Sequence, residues 1–325
     1  MTLPCLWSDT MKIVITDAAT VFDANVKADV FEKYGELVCY PLTSEEELLE
    51  RIKDADIVLC NKTYLGKREM DAAKNLKYIG IFATGFNNID TAYAREKGIT
   101  VCNAPGYSTE AVAQHAFALL LQALNRVGDY NRIVARGDWK TSRTFSMFPF
   151  PMSELCGKTL GIVGYGAIGR RVATIAKAFG MQVLVHNRSR INDDTVTQVS
   201  FDELLQRSDA VTMHCPLNGD SEKMMNAEAF GKMKDGAVFI NTARGAVVDE
   251  EALRDALLSG KLLAAGIDVL TKEPMSADCP LFGIENCYIT PHVAWAGLET
   301  RQRLMQVVEA NIKAFLAGSP INVVS

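Results

Sequence analysis

A strand, a glycine turn and a helix succeed one another between Lys158 and Gly180, and this succession constrains the fold more than any other stretch. Lys158-Thr159-Leu160-Gly161-Ile162-Val163 is an apolar run long enough for a buried strand. Gly164-Tyr165-Gly166-Ala167-Ile168-Gly169 follows, with apolar residues then recurring at helical spacing through Ile168, Val172, Ile175, Ala176 and Phe179. A G-x-G-x-x-G string is common by itself; set between a strand and a helix it predicts a dinucleotide-binding turn. Gly164 then permits the tight turn, Gly166 lets the backbone approach a pyrophosphate, and Gly169 lets helix and strand pack closely. The helix N-terminus adds unpaired N–H groups and partial positive charge. The alternative is a glycine-rich strand–helix turn with no ligand.

Strand-like and helical stretches alternate on both sides of this turn. Before it, strands are expected at Lys12–Thr16, Leu37–Pro41, Ile57–Cys60, Tyr78–Phe82 and Thr100–Cys102. Amphipathic stretches such as Asn25–Tyr34 and Ser44–Lys53 lie between them, the second opened by a capping box of Ser44 and Glu47. The later strands are expected at Leu160–Gly164, Gln182–His186, Ala210–His214, Ala237–Asn241, Leu263–Val269 and Cys287–Thr290. Such alternation implies an α/β protein with open, mostly parallel sheets covered by helices. The 325-residue length suits two domains. Thr109–Val127 is expected as a long apolar helix joining the sheets. Gly297–Ala317 is expected as an amphipathic helix that returns to the first domain, because chain ends often lie near one another.

A net charge of −5 argues against a nucleic-acid surface. No apolar stretch approaches the length of a membrane span. Met1–Thr10 lacks a basic segment ahead of an apolar run, so it is a poor secretory signal and is expected to lie outside the fold. The eight cysteines (Cys5, Cys39, Cys60, Cys102, Cys156, Cys215, Cys279, Cys287) form no C-x-x-C pair. They are expected as buried small hydrophobes of a reducing cytoplasm, with no disulfide frame and no metal site.

Further motifs run the length of the chain: Ala83-Thr84-Gly85-Phe86-Asn87-Asn88-Ile89-Asp90, Asn103-Ala104-Pro105-Gly106-Tyr107-Ser108, Gln114-His115, Asn241-Thr242-Ala243-Arg244-Gly245, Gly266-Ile267-Asp268-Val269, Glu273-Pro274 and Thr290-Pro291-His292. With the Gly164–Gly169 turn, these resemble the D-isomer-specific 2-hydroxyacid dehydrogenases. Ala83–Asp90 and His292-Val293-Ala294-Trp295-Ala296 are most similar to the glycerate dehydrogenase (hydroxypyruvate reductase) subgroup. The resemblance implies a Rossmann-like doubly wound cofactor domain over residues 107–295, inserted in a discontinuous flavodoxin-like substrate domain of residues 1–106 and 296–325. It also implies a homodimer.

Reduction of a 2-keto acid needs a hydride donor, a proton for the carbonyl oxygen and a cation for the carboxylate. His292 follows a strand end, where ligands bind in such folds, and imidazole exchanges protons near neutrality. Glu273 can hydrogen-bond the far ring nitrogen and fix the tautomer. Arg244 follows the strand ending at Asn241 and offers a planar cationic fork. Each has an ordinary structural explanation alone: a Thr-Pro turn, a solvated loop acid, a surface charge. The family assigns all three to catalysis. The resemblance further implies substrate contacts at Ala83, Thr84 and Gly85, from the other domain. It places the cofactor against Gly164, Gly166, Ala167, Ile168, Gly169, Asn187, Arg188, Ser189, His214, Pro216, Thr242, Ala243, Asp268 and Ala294. Asp268 would accept from the nicotinamide carboxamide; otherwise it is a strand-end turn acid. His115, among apolar residues, reads as a satisfied core group, and Gln114 stands where the family often has Glu. Trp139, Phe145 and Phe148 mark an aromatic loop that fills the core, helps close the site or meets a second copy.

NAD-specific members of the family usually carry an acid at the end of the second cofactor-domain strand. Here the chain reads His186-Asn187-Arg188-Ser189-Arg190. No carboxylate repels a 2′-phosphate there, and two arginines can pair with one, so NAD or NADP is expected with a lean towards NADP. The expected activity is reduction of hydroxypyruvate or glyoxylate to D-glycerate or glycolate. The alternatives are another 2-hydroxy acid or an NAD(H)-sensing, corepressor-like binding protein.

Overall fold

Every strand pair in the two sheets is parallel in the computed structural model, which describes residues 11–325. The expectation for residues 1–10, Cys5 included, lies outside the described residues. Close contacts divide the chain into two units, one running to Ser108 and resuming over Ala296–Ser325, the other Thr109–Trp295. The first boundary falls two residues beyond the expected 106/107. Arg303 Nε donates to the Tyr107 carbonyl at 3.1 Å, tying that residue to the C-terminal helix of the first unit.

The first unit contains β1 (Lys12–Ile15), β2 (Glu36–Cys39), α1 (Glu45–Ile52), β3 (Ile57–Cys60), α2 (Lys67–Ala72), β4 (Tyr78–Ile81), α3 (Thr91–Glu96) and β5 (Thr100–Cys102). Its sheet has the order β2-β1-β3-β4-β5, the flavodoxin-like arrangement. β3 and β4 are buried throughout, as parallel strands covered on both faces must be. The Ser44–Glu47 capping box is formed at the start of α1. Asn25–Tyr34 is not the α-helix expected. The Asp23 carboxylate accepts from the amides of Asn25 and Val26, turning the chain, and only a 3-10 segment at Asp29–Tyr34 remains to bury Phe31.

The second unit contains α4 (Thr109–Asn125), α5 (Val127–Arg136), β6 (Thr159–Val163), α6 (Ala167–Ala178), β7 (Gln182–His186), β8 (Thr197–Gln198), α7 (Phe201–Arg207), β9 (Ala210–Met213), α8 (Ala227–Lys232), β10 (Ala237–Asn241), α9 (Glu250–Leu258), β11 (Leu262–Ile267) and β12 (Cys287–Ile289). The chain closes with α10 (Leu298–Leu316), which belongs to the first unit. The sheet order is β12-β11-β10-β9-β6-β7-β8. Counted from β6 as the first strand, this is the Rossmann order, with its reversal between β6 and β9. The expected single helix over Thr109–Val127 stops at Asn125. Arg126 takes a left-handed φ of 54°, while Gln122 accepts from the Gly128 amide and the Arg126 guanidinium turns to Asp129.

Cys60, Cys102 and Cys287 are buried as expected, but Cys39 and Cys156 are exposed; all the described cysteines are free thiols. Cys39 ends an edge strand, where alternate residues face outward. Among the described residues no helix is long and apolar enough to cross a membrane.

Candidate active site and dinucleotide turn

The glycine turn sits at the sheet's reversal point. Gly164 has a left-handed φ of 94°, and a Cβ there would lie 2.6 Å from the Cys215 amide nitrogen and 2.7 Å from the His214 carbonyl. Conformation and close approach both demand glycine at this position. A Cβ on Gly169 would collide with the carbonyl of Gly164, so α6 and β6 meet only because that side chain is absent. Gly166, by contrast, faces open space: nothing lies within 4 Å of its ideal Cβ. Two glycines therefore serve the protein's own packing, and the middle one opens the backbone at the N-terminus of α6, where Ala167 and Ile168 begin the helix. That vacancy suits the pyrophosphate of a dinucleotide. Thr242 agrees with this, since its buried Oγ1 has no hydrogen-bond partner, as expected of a hydroxyl reserved for a ligand.

The loop after β7 carries Asn187, Arg188 and Ser189. Asn187 Oδ1 accepts from the Tyr165 amide at 3.1 Å, so this side chain braces the glycine turn. Arg188, Ser189 and Arg190 are exposed. His214, beyond β9, shares a 2.9 Å hydrogen bond with Thr212 Oγ1, and burial pushes its imidazole down to about 3, so it is neutral at physiological pH. Pro216 is exposed and Ala243 partly covered.

His292, Glu273 and Arg244 all stand on loops that follow strands of the second sheet. His292 Nδ1 and Glu273 Oε2 are 2.6 Å apart, and Glu273 Oε1 accepts from the Leu270 amide at 2.9 Å. Arg244 follows β10; its Nη1 donates to the Ala243 carbonyl at 2.7 Å, and Asn241 Nδ2 donates to the Arg244 carbonyl at 2.9 Å. Gly245 presses against the backbone of Leu270 and Thr271, leaving no room for a Cβ. The loop bearing Arg244 is thereby joined to the loop bearing Glu273, which holds His292.

His292 has a φ of 54°, unusual for any residue but glycine. Asp268 holds it there. The Asp268 carbonyl accepts from the His292 amide at 2.8 Å, Oδ1 accepts from the Val293 amide at 2.9 Å and Thr290 Oγ1 at 2.6 Å, and Oδ2 accepts from the Ala294 amide at 2.9 Å. Burial alone would raise the pKa of this 1% exposed carboxyl; the bonds from His115, Thr290, Ala294 and Val293 outweigh it and hold the group below the usual carboxylate range. His115 Nε2 reaches Thr290 Oγ1 at 2.9 Å and lies 3.4 Å from Asp268 Oδ1. Asp268 thus has a task the sequence did not disclose: it shapes the turn that presents the imidazole.

Ala83, Thr84 and Gly85 follow β4 in the first unit. Thr84 Oγ1 donates to the Ala104 carbonyl at 2.8 Å, and the Thr84 carbonyl accepts from Asn103 Nδ2 at 2.7 Å. The amides of Thr84 and Gly85 make no hydrogen bond among the described residues, so both remain available as donors. In the second unit, Trp139, Phe145 and Phe148 are exposed, Phe145 to 92%, which removes core filling from the roles considered for that loop.

The family profile described as D-isomer specific 2-hydroxyacid dehydrogenase, NAD binding domain, matches residues 117–294. The chain is 42% identical to a hydroxypyruvate reductase of Blautia hydrogenotrophica, over 97% of this chain and 100% of that protein. It is 38% identical to a glycerate dehydrogenase of Methylorubrum extorquens, over 97% and 99% of the two. Among solved structures it is similar to an acyclic imino acid reductase in complex with NADPH and D-Arg, with a TM-score of 0.86, 33% identity, and coverage of 97% of this chain and 100% of the other. The glycine turn, the three chemistry-bearing loops and these likenesses agree: the chain belongs to the D-isomer-specific 2-hydroxyacid dehydrogenase family.

Proposed function

We propose that the chain reduces small 2-keto acids, hydroxypyruvate and glyoxylate foremost, to D-2-hydroxy acids, and that NADPH is its preferred reductant. The observation that carries this reading is the His292–Glu273 pair at 2.6 Å on a turn held by Asp268. Glu273 fixes the ring so that Nδ1 faces the carboxylate and Nε2 is left to give a proton to a carbonyl oxygen. Arg244 supplies a fork for the substrate carboxylate, and the open amides of Thr84 and Gly85 are donors of the kind a carboxylate takes. Gly166, Thr242 and the start of α6 would hold the dinucleotide, which when bound supplies the hydride. NADPH is favoured because no acid ends β7, and because neither Arg188 nor Arg190 has an ion-pair partner among the described residues. Two relatives are named for hydroxypyruvate or glycerate, which supports the substrate class.

A panel of 2-keto acids measured with both reduced nicotinamides tests this reading. Rapid hydroxypyruvate turnover with a higher kcat/KM for NADPH is the expected result. Absence of turnover across the panel would overturn the reductase assignment and favour a sensor. A large NADH advantage would overturn the cofactor preference alone.

A further inference from the structure

Two arginines on an exposed loop make a poor phosphate site if the loop must be ordered at binding, because ordering subtracts from affinity. The loop after β7 is tied down in advance. Gln198, on the two-residue strand β8 that pairs with β7, uses its whole amide on it. Gln198 Oε1 accepts from the Ile191 amide at 2.8 Å, while Nε2 donates to the carbonyls of Asn187 at 3.1 Å and Ser189 at 3.0 Å. Asn187 Nδ2 also donates to the Ser189 carbonyl, at 3.0 Å.

The same loop is fastened to the glycine turn at two points, both through Tyr165. The Tyr165 amide donates to Asn187 Oδ1 at 3.1 Å, and the phenol donates to Asp193 Oδ2 at 2.7 Å. Thr195 occupies the other carboxylate oxygen of Asp193, through its amide at 3.0 Å and its hydroxyl at 2.6 Å. Hydrogen bonds from Thr195 and Tyr165 draw the Asp193 carboxyl down to about 2, so it stays an engaged anion. Arg170 lies 4.9 Å from the centre of the Tyr165 ring and packs against its face. The amides of Asn187 and Gln198 and the Asp193 carboxylate are spent in holding the loop's shape, while Arg188 and Arg190 have no ion-pair partner among the described residues.

We infer that Gln198 and Tyr165 are positioning residues that pre-form the Arg188–Arg190 loop for the 2′-phosphate of NADPH. The inference rests on the NADPH reading proposed above. NADH lacks that phosphate, so the bracing matters for one dinucleotide and little for the other. This difference separates a positioning role from a merely structural one.

The test is calorimetric titration of NADPH and of NADH into the full chain, its Gln198→Ala and Tyr165→Phe variants, and the double variant Arg188→Ala/Arg190→Ala. Gln198→Ala and Tyr165→Phe are each expected to weaken NADPH binding about three- to tenfold, the scale of one or two net hydrogen bonds, and to leave the NADH Kd within about twofold. The double arginine variant should lose at least as much NADPH affinity. Equal weakening of both dinucleotides, or unchanged NADPH binding in the Gln198 and Tyr165 variants while the arginine variant loses it, would overturn the inference. An arginine variant that binds NADPH as tightly as the parent would overturn the NADPH reading itself.

Discussion

Nδ1 of His292 and Oε2 of Glu273 lie 2.6 Å apart, joining a loop that follows β11 to the turn that follows β12. The carboxylate engages Nδ1 and fixes the ring's orientation, which leaves Nε2 as the nitrogen open to a substrate. Glu273→Gln keeps a hydrogen-bonding group at the ring but removes the charge. Its kcat for keto-acid reduction is expected to fall roughly ten- to a hundredfold, part of what general acid catalysis supplies. Steady-state kinetics check this, and an unchanged kcat would free Glu273 of its role.

Asp268 accepts from Val293, Ala294 and Thr290 with both carboxylate oxygens. Asp268→Asn offers a single acceptor oxygen, stranding a buried donor at a cost of about 1–3 kcal/mol. Thermal unfolding at pH 7 should show a Tm several degrees lower. The native pKa of Asp268 lies below its unfolded value of about 3.9, so its contribution is present above that value and lost as pH falls through the native pKa. The Tm gap between parent and variant should therefore narrow on acidification below about pH 4. A constant gap would assign the loss to shape alone.

The glycines separate packing from binding. Gly169→Ala, crowded against the Gly164 carbonyl, is expected to destabilise the protein by about 1–3 kcal/mol. Gly166→Ala meets nothing within 4 Å and should leave stability within about 0.5 kcal/mol. It should nonetheless weaken dinucleotide binding about tenfold or more, because the methyl fills the space a pyrophosphate needs. Denaturant melts with dinucleotide titration decide; full affinity in Gly166→Ala would move the phosphates elsewhere.

Arg244→Lys retains a charge but loses the planar fork, and its kcat/KM for hydroxypyruvate is expected to fall about a hundredfold, with Arg244→Ala lower still. Lysine activity matching the parent would show that a point charge suffices.

Much of the site was legible because it depends on local order along the chain. The glycine spacing after an apolar run locates the turn, and Arg244, Glu273 and His292 stand where loops follow strands of one sheet. What escaped notice depends on partners far apart in sequence. The acceptor role of Asp268 exists only when Thr290, Val293 and Ala294 fold over it. β8 is two residues long, too short for any alternation to show, so Gln198 gave no sign of bracing the loop before it. Asn25–Tyr34 has helical spacing, but Asp23 claims the first amides for a turn.

In the proposed reaction His292 delivers the proton to the keto acid without holding the dinucleotide. Single-turnover reduction of hydroxypyruvate by His292→Ala, alongside the NADPH Kd of the same sample, separates the two roles. The rate should fall by about 10²–10⁴ while the Kd stays within about twofold. A rate near that of the parent would show that His292 is not the proton donor.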